Sequence, residues 1–153
     1  MATIGALLAL HVLAAMFWVG GMAFAYTILR PAAGPLEAPA RLALWRRVFA
    51  SFLPWVGVSI VVLLITGYTM VFLVFGGFKS LPLYVNLMQG LGIVMMLLYL
   101  HLTFAPWKRL KAGLDRGDVP AAGGQLGQIR KIVAINLALG VLVILIAVSG
   151  RYW

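Results

Sequence analysis

The sequence contains no cysteine, and Asp and Glu together number 3 in 153 residues. Without thiols there can be no disulfide, no iron–sulfur cluster and no thiolate chemistry. The carboxylates, Glu37, Asp115 and Asp118, all fall between apolar runs, so no acid-lined proton path crosses those runs. A phosphate-binding glycine loop, a nucleophile triad, a zinc-ligand cluster and a convincing internal repeat are missing as well. Charge of either sign is scarce, at 10% of residues where a soluble domain carries about 25%.

Apolar residues take the place of charge, at 64% of the chain. Such a surface has to face something other than water, which points to a small integral membrane protein. A helix needs about 20 apolar residues to cross a hydrocarbon core of about 30 Å. Stretches 4–29, 52–75, 83–105 and 132–149 satisfy this, and together they predict an all-α, single-domain, four-helix membrane bundle. The first is too long for a signal-peptide core and has no basic residue before it, so it reads as a retained helix.

The formal net charge is +9, but the cations flank apolar segments, a pattern of topology signals and lipid headgroup contacts rather than of nucleic-acid binding. Arg30, Arg41, Arg46 and Arg47 lie between the first two spans. Lys108, Arg109, Lys111, Arg116, Arg130 and Lys131 lie between the last two, whereas the opposite side has only Lys79 and Arg151. The positive-inside rule makes the first group cytoplasmic and places both termini outside, across a bacterial inner membrane. Residues 42–51 read as a short amphipathic lead-in helix, with Trp45 and Phe49 on one side and Arg46 and Arg47 on another. Residues 113–128, rich in Gly and Ala, read as a mobile loop, Gly76–Gly77 as a tight turn, and Trp107, Tyr152 and Trp153 as an interfacial aromatic belt.

His11 and His101 are the only histidines, and both sit inside spans. An ionisable side chain kept in hydrocarbon marks a functional site by default, and imidazole is a common ligand of metals and haem iron. His11 shares a helix face with Trp18 and Met22, and His101 shares one with Leu97, Val94 and Gly90, with Asn86 near by. At 1.5 Å per residue the two rings differ in depth by roughly 15–20 Å, so they read as separate stations rather than a pair on one iron. At the outer level Met70 and Met88 are candidate thioether ligands beside Asn86 and Gln89. At the inner level Met22 and the pair Arg46–Arg47 stand ready, the arginines suited to carboxylates such as haem propionates. Met16, Met95 and Met96 read as packing residues, and Asn86 and Asn136 as hydrogen-bond glue between helices.

Several segments carry a family resemblance. They are His11-Val-Leu-Ala-Ala-Met-Phe-Trp18-Val-Gly-Gly21 ending in Leu29-Arg30-Pro31, and Arg47-Val-Phe-Ala-Ser-Phe-Leu-Pro54. Tyr99-Leu100-His101 before the basic run Trp107-Lys108-Arg109-Leu110-Lys111, and Gly150-Arg151-Tyr152-Trp153, complete the set. In these the chain resembles the small copper-resistance D (CopD)-like membrane proteins and, more distantly, HemJ-type protoporphyrinogen oxidases. The resemblance implies a bundle that binds haem b, with His11 as axial ligand and His101 matching a second histidine. HemJ-type proteins carry a histidine and a lysine near the outer start of helix three. The matching stretch here, Asn86-Leu-Met-Gln-Gly90, has neither.

Three functions follow as expectations. The first is a haem b protein in electron transfer or redox chemistry, with Trp18, Met22, Gly90, Asn86, Arg46 and Arg47 around the two histidines. The second is copper handling through His11, Met70 and Met88, since imidazole and thioether suit Cu(I). The third is a non-catalytic subunit of a membrane complex. The bilayer is the expected partner, with room for a quinone, a porphyrin, a redox protein or a second copy of the chain.

Overall fold

A computed structural model describes residues 1–152, and of Arg151 only the backbone; Trp153, assigned above to the aromatic belt, lies outside the described residues. Four helices long and apolar enough to span a membrane are present among them, and no strand. Helix α1 runs over Ala2–Ala32, α2 over Ala38–Phe75, α3 over Leu83–Phe104 and α5 over Val119–Ser149, with the short α4, Pro106–Asp115, between the last two. Gly76, at φ 68°, closes α2, and a 3-10 turn over Phe78–Ser80 leads into α3. Helix α1 packs along α2, and α3 along α5, which also touches α1 and α2. The backbone of α3 stands off from the α1–α2 pair, and side chains bridge the gap, with Met95 buried beside Trp18 and Met22 of α1 and Val56 of α2.

The helices extend past the apolar runs at the basic end, and two expectations give way there. Residues 113–128 are not a mobile loop: α4 continues to Asp115 and α5 starts at Val119. Gly117, at φ 70°, ends α4 in a Schellman turn, with its own N–H bonded to the Leu114 carbonyl and that of Asp118 to the Gly113 carbonyl. Asp118 then caps α5 by accepting from the Ala121 N–H at 3.0 Å, with Pro120 in the first turn where no N–H is needed. The lead-in helix at 42–51 is real but unbroken from the span, forming the first turns of the 38-residue α2.

These extensions build a core of their own. Leu42, Trp45 and Phe49 of α2, Trp107 and Leu110 of α4, and Ala122, Leu126 and Ile129 of α5 are buried together. Trp45 stacks on Phe49 at 5.2 Å, and Phe49 meets Trp107 edge-on at 5.9 Å. Trp107 is therefore a core residue rather than part of an exposed belt, at 7% exposure. Arg130 and Lys111 lie over the rings of Trp45 and Trp107 at the edge of this core, 5.7 and 5.1 Å from the centroids; Arg46 pairs with Asp115 at 2.7 Å, an exposed link between α2 and α4 worth little in itself. By contrast the spanning windows are only 6–17% buried, and large apolar residues such as Ile65, Leu97, Leu145 and Val148 lie on the outside. A surface of that kind is stable against lipid tails and not against water.

The α4–α5 contact is tightest at Gly113, where an added Cβ would lie 3.2 Å from the Ala122 nitrogen and 3.3 Å from its Cα. Backbone cannot yield as a side-chain tip can. Gly113→Val is expected to destabilise the protein by about 1–3 kcal/mol, the usual range for overpacking. Gly123→Ala, with open space around the new methyl, is expected to be neutral. Thermal unfolding in detergent checks both.

Candidate functional site

His11 lies half-buried in α1 against α2. Its Nδ1 is 2.8 Å from Thr66 Oγ1, and Thr66 Oγ1 is in turn 2.6 Å from the Val62 carbonyl oxygen. A carbonyl only accepts, so the single hydroxyl hydrogen of Thr66 is committed to Val62. Thr66 then accepts from His11, which fixes a proton on Nδ1; in the neutral ring Nε2 is then the nitrogen with a free lone pair. This is the arrangement that orients metal-binding histidines, in which the second nitrogen is held by an oxygen so that the first can ligate. Gly67 makes it fit: a Cβ there would stand 3.1 Å from His11 Cε1.

Met70 follows Thr66 by four residues and so shares its face of α2, half-buried. Met88 is half-buried on α3, a different helix from either of this pair. His101 is exposed on α3, and its side chain makes no hydrogen bond among the described residues. Gly90, Val94 and Leu97 on its stripe are exposed too. Asn86 is exposed, with its Nδ2 bonded to the Leu81 carbonyl at 3.3 Å. Arg46 is taken up by Asp115, and Arg47 points outward.

Trp18 and Met22, each 3% exposed, belong to a second place. They line a cavity of about 530 Å³ with Phe49, Phe52 and Leu53 of α2, Tyr99 of α3 and Asn136 of α5. Neither histidine lines it. One stretch of its wall, Ala25–Leu29, is a π-helical turn that widens α1 just before Pro31, which has no N–H to continue the ladder. Tyr99 donates its hydroxyl to the Leu53 carbonyl at 3.0 Å and meets Trp18 edge-on at 6.5 Å. Thus the structure joins His11 to Thr66 of α2, one turn before Met70, and sets Trp18 and Met22 on one cavity, but does not gather all the sequence candidates around one centre.

Sequence reasoning missed Thr66 altogether and treated Tyr99 only as part of a motif. The signal for Thr66 is a hydroxyl residue directly after the apolar run Val61–Ile65, at a depth matching His11 in an antiparallel pair.

The sequence model of the family described as copper resistance protein D, CopD, matches residues 46–149, about two-thirds of the chain. The matched segment takes in α2 from Arg46 through Ser149 of α5, with Thr66 and Met70, and stops short of α1. No curated protein and no solved structure matches the chain. The CopD-like resemblance is thereby supported; the HemJ-type one is not.

Replacing Tyr99 by Phe removes the α3–α2 hydrogen bond while keeping the ring against Trp18. The expected cost is about 0.5–1.5 kcal/mol in chemical unfolding, the ordinary range for one hydrogen bond.

Proposed function

Since the chain belongs to the copper resistance protein D family, we propose that it is a copper-handling, multi-pass protein of a bacterial inner membrane, with His11 as the copper-binding side chain. The observation that carries this reading is the His11–Thr66–Val62 chain, which puts the proton of a neutral His11 ring on Nδ1 and offers Nε2 as the ligand nitrogen. Copper is the cargo. Imidazole nitrogen and thioether sulfur form a soft donor pair that suits Cu(I), and Met70 supplies the thioether from the face that holds Thr66. His11 and Met70 are the copper candidates carried by the paired helices α1 and α2, and Met88 is the one carried by α3. The crowding of cations at one end orients that end toward the cytoplasm and puts His11 in the outer half of the bilayer.

Haem b takes second place. The family is described by copper resistance, and the cavity large enough for a flat ring is lined by Trp18 and Met22 and by neither histidine. Native protein purified without added metal is expected to show no Soret band.

The copper reading is tested by titrating the purified protein with Cu(I) against a competing chelator. Wild type is expected to bind, and His11→Ala to lose the site. Thr66→Val, which cannot accept from Nδ1, is expected to weaken it by about 10–100-fold, the usual cost of losing a partner that orients a ligand. Unchanged copper binding in both His11→Ala and Met70→Ala would overturn the assignment.

A further inference from the structure

The cavity beside Trp18 carries a chemical requirement of its own. Its walls are apolar and aromatic, and two polar side chains among them, Asn136 and Tyr99, have acceptor capacity to spare. Asn136, 4% exposed, points its Nδ2 at the Met95 carbonyl 3.3 Å away. A carbonyl cannot donate, so the amide cannot be turned round, and its Oδ1 is left buried with no partner among the described residues. Tyr99 spends its one hydrogen on the Leu53 carbonyl and keeps its lone pairs. A buried acceptor without a donor costs free energy in a site this dry, and a ligand that brings the donor removes that cost.

The mouth of the cavity gives the second constraint. Among the lining residues Met16, Phe17 and Phe24 of α1 are exposed, on a helix that faces lipid. A ligand therefore enters sideways from the hydrocarbon, and any tail it has can stay there. A volume of about 530 Å³ is within the ordinary range for small-molecule sites. The rings of Trp18, Phe49 and Phe52 favour a flat head group over a bare chain.

We propose that this cavity is a binding site for a membrane-soluble hydroquinone, whose ring lies among Trp18, Phe49 and Phe52 and whose hydroxyl donates to Asn136 Oδ1. Only the reduced form has the donor. An oxidised quinone has carbonyls that would face Oδ1 lone pair to lone pair, so the site discriminates between the two oxidation states by hydrogen bonding alone. The inference does not rest on the copper reading, because neither His11 nor Met70 lines the cavity.

The test uses the whole protein in lipid nanodiscs, without metal and under argon, titrated with decylubiquinol, decylubiquinone and the dimethyl ether of decylubiquinol. The hydroquinone is expected to bind about tenfold tighter than the other two, as loss of a bond to a buried acceptor would require. Asn136→Leu is expected to erase that preference, and Val133→Phe, which fills the cavity from α5, to weaken all three. Equal binding of the three ligands to wild type overturns the proposal, as does displacement of the hydroquinone by a plain alkane of equal length, which would mark an acyl-chain site. A preference that survives in Asn136→Leu overturns it too. If that variant does not fold, the comparison of hydroquinone with its dimethyl ether on wild type decides alone.

Discussion

The hydrogen-bond chain from His11 through Thr66 to the Val62 carbonyl fixes how α1 sits on α2 and what chemistry that interface can perform. Inside a bilayer no water is available to satisfy a displaced imidazole or hydroxyl, so the two helices can slide only by leaving polar groups bare. The register set there brings Gly67 under the ring and Met70 to the same face. Further along, the same pairing places Phe17 against Phe52, with ring centroids 5.9 Å apart, and opens the cavity beyond them. One polar contact thus positions both the bare nitrogen and the aromatic cleft.

The molecule has two differently built ends. At the basic end the elongated α2, the short α4 and the start of α5 bury Leu110, Ala122 and Ile129 almost completely. Toward the other end α3 packs mainly on α5, and the spans present most of their surface outward. The firm end holds the helices together; the loose end leaves room between them. The π turn at Ala25–Leu29 falls where the two regions meet, with Ala25 in the packed core and Leu29 lining the cavity.

The spans were legible because crossing hydrocarbon demands length and apolarity, which the sequence displays directly. The direction in which each span faces was not, because lipid and protein core are both apolar and no water-facing side sets the phase. On α3 the stripe of Gly90, Val94, Leu97 and His101 faces out, and Met95, Tyr99 and Leu102 face in, though both stripes are equally apolar apart from the histidine. Beyond the hydrocarbon the usual signals return. Gly117, Asp118 and Pro120 mark a helix stop and start, and Ala122, Leu126 and Ile129 recur at helical spacing. The glycine and alanine content of 113–128 hid them, since small residues that allow close helix approach have the same composition as a flexible linker.

Nitrogen NMR of histidine-labelled protein in lipid reads the protonation state of His11 directly. The structure predicts a neutral ring with its proton on Nδ1, and a bare Nε2 whose resonance moves when Cu(I) is added. A ring protonated on Nε2, or an Nε2 resonance indifferent to Cu(I), would contradict it.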